Sequence, residues 1–457
     1  MSAHEESDES LPEGTLLRPD DSVRRFVHGR VLIGGSPLRL LRFGTWSARL
    51  FDRWVGGEPV GGNARERQLA RRLLEAGLVH PEPPGGRFGP ADATLVSPVK
   101  DDPAGVRRLL AATGELAERL VIDDGSAEPL PEAVLRDENP LGPAAARNAG
   151  WRLARTELVA FVDSDAVPGT GWLDAVLPLF ADPKVAAVAP RILSGPGDAS
   201  VARYEEDRSS LDLGDRPALV RPMSRVSYVP SAALVVRRSV LAELGGFDER
   251  LRFGEDVDLV WRMIERGHVV RYQPESVVRH ASRTGLLPWM RQRFDYGTSA
   301  APLSTRHPGL LSCAKVSRWS AISWGLLFSG RPAASLATAV VTAALFPRKL
   351  RGRGIPTAEA LRLAGWGHLG AGRILAEAVR RTWWPLALAA ALFGVRARIV
   401  VLAALLPCFA ESRGRTPGWL ALRVLDDLAY GAGVWVGCAR ERNLDPLRPR
   451  FTDDSLR

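Results

Sequence analysis

The stretch VAFVDSDAVP, Val159 to Pro168, runs apolar for four residues and then sets two carboxylates, Asp163 and Asp165, on either side of one serine. Carboxylates so close repel each other, so a fold tolerates them in open solvent or where a cation neutralises them. The surrounding sequence bears on the choice. TLVSPV and RLVIDD read as strands, PAGVRRLLAAT as a helix with Pro103 in its first turn, and the Ala-rich GPAAARNAGWRLART as a second helix. Strands alternating with helices predict a mainly parallel α/β sheet in which ELVAFVDSD is one strand. Ligands of open α/β sheets bind beyond the carboxyl ends of the strands, which is where the two acids fall.

Further acids recur at such positions. VIDDGS carries Asp123 and Asp124 at another strand end, and GEDVDLVWRM carries Glu255 and Asp256 ahead of a helical pattern. Arg147 and Asn148 lie in ARNAGW on the helix before the D-S-D strand, and His280 lies in VVRHASR. Singly, each has an ordinary role. D-S-D is most often a solvated turn, Asp123 suits a turn cap, Glu255 and Asp256 suit the first turn of a helix, and a histidine is more often a core or surface residue than a ligand. The ordered recurrence of acids at element ends in one sheet favours a binding site.

In this order the motifs resemble an inverting family 2 glycosyltransferase of the GT-A fold, over roughly residues 94–296. The resemblance implies a nucleotide-diphospho-sugar donor and a divalent metal, Mn2+ or Mg2+. It implies donor contacts from Asp123, Asp124, Arg147, Asn148 and Asp163, and metal ligation by Asp163, Asp165 and His280. GED matches the segment whose Asp256, beside Glu255, would be the catalytic base. The chemistry agrees with these residue types: a hard cation on oxygen ligands stabilises the charge growing on a diphosphate leaving group, and a carboxylate accepts the proton of the attacking hydroxyl. SPVKDDP lacks the aromatic residue often found near the base of the nucleotide, and RQRFDYG lacks the Gln-x-x-Arg-Trp signature of processive synthases.

LPEGTLLRPDDSVRR, RVLIGGSPLRLLR and LRVLDDLAYGAGVWVGCARERNLDPLRP narrow the resemblance to the mycofactocin-system glycosyltransferases. That family implies a peptide-derived acceptor, premycofactocin, receiving β-linked glucose, with UDP-glucose as the donor. Two other readings stand beside it: a transferase of the same chemistry acting on a lipid or cell-envelope glycan, and a non-catalytic membrane scaffold keeping the GT-A fold. A scaffold would be expected to have lost its metal motif or base, and Asp163, Asp165 and Asp256 are all present.

The expected organisation is a disordered tail over 1–10, a PqqD-like, winged-helix-type α+β module over 11–80, a linker over 81–90 (PEPPGGRFGP), the GT-A domain over 91–296 and a helical, membrane-associated region over 297–457. Leu69, Leu73, Leu74 and Leu78 are expected on one helical face of the module. The linker's prolines and glycines argue against a helix or paired strand. In the last region PAASLATAVVTAALF is short of a span, and WWPLALAAALFGVRARIVVLAALLPCFA is interrupted by Arg396 and Arg398. Helices in the interface plane, or hairpins that dip in and return, fit these features. The basic PRKLRGRG loop predicts the cytoplasmic face of the cell membrane, with the catalytic domain on that side.

A net charge of +9 and a pI near 10.0 suit an anionic partner. Nucleic acid is disfavoured, because the arginines concentrate in apolar segments without interleaved aromatic stacking surfaces. Cys313, Cys408 and Cys438 are too scattered for a metal site or disulfide framework, which predicts a reducing compartment. The polar, acidic start MSAHEESDES does not read as a secretory signal.

Overall fold

A computed structural model describes residues 11–283 and 285–452; the expected tail over 1–10 lies outside the described residues. The chain divides into two units, one running to Ser282 without Ala199–Tyr204, the other made of Ala199–Tyr204 and the chain from Arg283.

The first unit is built on a nine-stranded sheet. Across it run Ala166–Pro168, Val269–His280, Val185–Ser194, Ala233–Arg237, Leu158–Val162, Ala93–Val99, Glu118–Asp123 and Ala133–Arg136, with Ala218–Leu219 paired to Val269–His280 off this path. From Leu158–Val162 to Ala133–Arg136 every pairing is parallel, whereas Ala233–Arg237 is antiparallel to both its neighbours. All five residues of Leu158–Val162 are buried, as expected of a central strand covered on both faces. Helices Pro103–Ala112 and Pro143–Leu153 follow the first parallel strands, each with proline at its start, where the missing N–H costs nothing.

The N-terminal module has its own core, including Leu17, Leu32, Phe51, Trp54, Leu73, Leu74 and Leu78. A three-stranded antiparallel sheet, Arg24–Phe26, Val31–Gly34 and Arg39–Arg42, precedes helices Thr45–Val55 and Ala64–Glu75. Leu78 is buried but lies past the end of the second helix, so it does not belong to the helical face expected for it. The expected linker is also corrected at its start. Pro81 and Glu82 end a strand, Val79–Glu82, that pairs antiparallel with Leu16–Pro19; in a two-stranded ribbon both strands are edges, where proline is tolerated.

The second unit is helical. Helix Leu286–Thr298 packs on Pro417–Glu441 at glycines: a Cβ on Gly433 would sit 1.9 Å from the Phe294 carbonyl oxygen, and one on Gly297 would sit 2.1 Å from that of Tyr430. This close crossing places RQRFDYG with the helices and not with the sheet. The division between the two units falls at Arg283, within the expected 91–296 domain. Among the described residues no helix is long and apolar enough to cross a membrane.

Candidate active site

Strand Leu158–Val162 ends at Asp163 because a carboxylate cannot continue a stretch buried on both faces. The chain turns, with the Ala166 amide donating to the Asp163 carbonyl, and resumes as Ala166–Pro168. That short strand pairs antiparallel with the end of Val269–His280, Ala166 opposite His280. The register sets the imidazole beside Asp165, with His280 Nε2 3.2 Å from Asp165 Oδ1. Asp163, Asp165 and His280 each offer one ligand atom, all within 4.8 Å of one another, and all three residues are half-buried. A convergent set of two carboxylates and one imidazole fits a divalent cation by donor type and spacing.

Arg147 connects this cluster to the second pair of acids. It donates from Nη2 to Asp163 Oδ1 at 2.6 Å and from Nη1 to Glu255 Oε1 at 3.0 Å, while its guanidinium lies 5.6 Å from the Phe247 ring centroid. Burial penalises its charge, but Asp163 and Glu255 outweigh that and hold it more firmly protonated than an ordinary arginine. Glu255 opens helix Glu255–Glu265 and is buried. Asp256 is half-buried and accepts from the Ser231 amide at 3.2 Å and the Val257 amide at 2.8 Å.

The electrostatics of these groups follow from burial and crowding. Burial, reinforced by Asp256, pushes Glu255 up to about 7 against the pull of Arg147. Asp256 is raised as well, again chiefly by burial and against its amide donors and Arg147. Burial disfavours the His280 imidazolium, but the hydrogen bond and charge of Asp165, with Asp163 behind it, prevail and raise its pKa.

The structure thus brings Asp163, Asp165, His280, Arg147, Glu255 and Asp256 together. Other expected site residues have different work. Asn148 is 1% exposed; its amide group donates to the Phe247 carbonyl and Glu249 Oε1, and its oxygen accepts from the Phe247 amide and Trp151 Nε1. All four bonding positions are taken by protein groups. Asp123 is wholly buried, accepting from the Ser126 amide at 2.8 Å and Arg136 Nη1 at 2.8 Å. Burial raises its pKa, but these bonds overcome that and hold it below the usual carboxylate range. It serves as the turn cap its position allows. Asp124 accepts from the Leu141 and Gly142 amides and so shapes the approach to helix Pro143–Leu153. Two features escaped sequence reasoning. Arg136 comes from a neighbouring strand, and the bridging role of Arg147 depends on Glu255, 108 positions away.

A mixed sheet, parallel from Leu158–Val162 to Ala133–Arg136, gathers acids beyond its strand ends opposite a helix-borne acid pair, the layout expected of a glycosyltransferase domain. The profile described as "Glycosyltransferase like family 2" matches residues 119–294. A pre-mycofactocin glycosyltransferase of Mycobacterium tuberculosis is 42% identical over an alignment of 468 positions, covering 96% of this chain and 98% of that protein. An N-acetylglucosaminyl-diphospho-decaprenol L-rhamnosyltransferase of the same organism is 28% identical, covering 45% of this chain and 81% of the relative. Among solved structures, the mannosyltransferase PcManGT from Pyrobaculum calidifontis in complex with GDP-Man and Mn2+ is similar at 17% identity and a TM-score of 0.43, covering 81% of this chain and 92% of that one. The chain belongs to the family of the pre-mycofactocin glycosyltransferases, within the family 2 glycosyltransferases.

Proposed function

We propose that this protein transfers glucose from a nucleotide-diphospho-sugar, UDP-glucose, onto premycofactocin in a single inverting displacement that builds a β-linked chain. Family membership supports the acceptor. The observation that carries the mechanism is the Arg147 bridge, which ties the Asp163, Asp165 and His280 cluster to the Glu255 and Asp256 pair. Asp163, Asp165 and His280 would hold a divalent cation, which supplies positive charge for the departing diphosphate. Asp256 is the proton acceptor for the attacking hydroxyl: it is the more accessible of the two acids, and its raised pKa makes it a stronger base. Glu255, buried against Arg147, orients the pair. We assign acceptor binding to the N-terminal module, which Arg71 joins to the sheet through Asp182 at 2.6 and 2.9 Å.

The test is incubation of the full chain with Mn2+, UDP-glucose and either premycofactocin or a polyprenyl phosphate, read by mass spectrometry. Gain of hexose units by premycofactocin supports the proposal. Hexose gained by the lipid alone would replace it with the lipid-acceptor reading.

A further inference from the structure

Three helices between Pro332 and Glu411 turn large apolar side chains outward. Helix Pro332–Lys349 buries only Ser335. Its hydroxyls turn toward neighbouring polar groups: Ser335 meets Ser323 at 3.2 Å, and Thr342 meets His368 at 2.9 Å, with Ser320 on the other ring nitrogen at 3.0 Å. Its large side chains turn out, Leu336 being 66% exposed and Val340 56%. Helix Trp384–Phe393, WPLALAAALF, buries no residue at all. Helix Val395–Glu411 buries only Ala404 and Cys408, while Leu402 and Leu406 are each 64% exposed.

Charge lies where a water-soluble bundle would keep its leucines. Asp427, 1% exposed at the side chain, pairs with Arg380 at 3.0 Å and Arg423 at 2.8 Å. Arg423 also reaches Glu411 at 3.1 Å, and Arg380 donates to the Ala404 carbonyl at 2.6 Å. A helix facing water puts its apolar stripe inward and its charges outward. Here many of the outward side chains are those that water disfavours. The pattern matches a bundle whose surroundings are hydrocarbon, where polar groups must be satisfied internally.

The two arginines that interrupt the apolar run also find a role. The turn between helices Trp384–Phe393 and Val395–Glu411 carries Leu392, Phe393 and Val395, 74%, 89% and 67% exposed. Arg398 Nε donates to the Ala391 carbonyl at 2.9 Å, covering one of the open carbonyls at the end of the first helix. Arg396 lies against Gly330. The run is therefore a hairpin with an apolar tip, and no described helix is long and apolar enough to cross a bilayer. Helix Pro332–Lys349 ends in Arg348 and Lys349, and Arg351 and Arg353 follow, all four exposed and free of intervening acids.

We infer that residues 318–411 form a monotopic bundle seated in one leaflet of an anionic phospholipid bilayer, the Leu392–Val395 tip among the acyl chains and the 348–353 cations on the headgroups. The charge of that loop and the outward apolar side chains of the helices favour a bilayer over a second copy of the chain. The inference stands apart from the transfer reaction proposed above.

The test is co-flotation of the full chain with phosphatidylglycerol-containing vesicles and with pure phosphatidylcholine vesicles. The wild type is expected to float with the anionic vesicles and in part to stay bound in about 1 M salt, where surface attraction is screened and apolar insertion is not. The fourfold change Arg348→Gln, Lys349→Gln, Arg351→Gln and Arg353→Gln is expected to lower anionic binding at least about tenfold. The double change Leu392→Ser with Phe393→Ser is expected to remove the salt-resistant fraction while donor hydrolysis stays at the wild-type rate. On the unaltered protein, acyl-brominated lipid is expected to quench tryptophan emission, less so in Trp366→Phe, because Trp366 is 63% exposed. Absence of wild-type flotation, absence of quenching, or flotation indifferent to both sets of changes would overturn the inference. So would a lipid-free dimer that the Leu392 and Phe393 changes split into monomers.

Discussion

Asp163 and Asp165 are separated by one residue, yet their surroundings give them different partners. Arg147 holds Asp163, and His280 holds Asp165. Asp165→Ala is expected to abolish Mn2+ binding in calorimetry and turnover with it, while leaving the melting temperature within a few degrees; Mn2+ affinity close to wild type would remove Asp165 from the ligand set. Asp256→Asn is expected to keep Mn2+ and donor affinity but slow transfer by roughly a hundredfold or more, the range for loss of a general base. Single-turnover rates separate these effects, and transfer at the wild-type rate would assign the base elsewhere. The pH dependence has a definite sign. Both acids of the Glu255 and Asp256 pair are raised, Glu255 to about 7, and an acid raised in the folded protein keeps its proton to higher pH. The base is therefore lost on acidification, and kcat/KM is expected to fall as pH drops through the neutral range, the limb belonging to the pair. Glu255→Gln removes a like charge and frees Arg147 to favour ionised Asp256, so the limb should move to lower pH. A limb that stays in place would belong to another group.

At the level of elements, pairing and close approach decide what touches. The antiparallel register of Ala166–Pro168 against Val269–His280 brings a histidine 115 positions downstream to Asp165. In the helical unit, the crossing of Leu286–Thr298 and Pro417–Glu441 depends on the missing Cβ of Gly433. Gly433→Ala puts a methyl carbon onto the Phe294 carbonyl and forces the helices apart, at a cost of about 1–3 kcal/mol typical of overpacking. Denaturant melts followed in the helical unit should show the loss. Gly414→Ala makes a poor control, since its φ of 77° is itself strained for alanine, whereas Gly365, with open space at its Cβ, makes a good one.

At the scale of the whole molecule, the sheet unit is one body that includes the N-terminal module. Arg71 on helix Ala64–Glu75 meets Asp182 with side chains 12% and 3% exposed, and Asp182 also accepts from the Lys184 amide. Arg271, buried nearby, has its pKa lowered to about 10 by burial, with Arg71 adding to the effect and Asp182 opposing it. Arg71→Ala leaves Asp182 with less compensation, and stability should fall by about 3 kcal/mol, as when one partner of a buried pair is removed. Chemical denaturation measures this directly; a change under about 0.5 kcal/mol would mean that Arg271 or water takes over the pairing.

The strand and helix order, the end of an apolar strand at Asp163 and the helix opening at Glu255 were legible in the sequence, because burial on a strand and proline or acid at a helix start are local properties. The strand at Pro81 was not, since proline pairs there only because Leu16–Pro19 comes back beside it. The bonds of Asn148 and Asp123 were not legible for the same reason: which loop folds over a polar side chain is not local, and Phe247 and Arg136 reach them from 99 and 13 positions away. The sequence by itself determined which residue types could meet a cation and accept a proton, and the sheet that would carry them. Only the tertiary structure decided that Arg147 joins the two acid groups and that charge lies inside the second unit with its leucines outside, because packing and desolvation act on neighbours in space rather than in sequence.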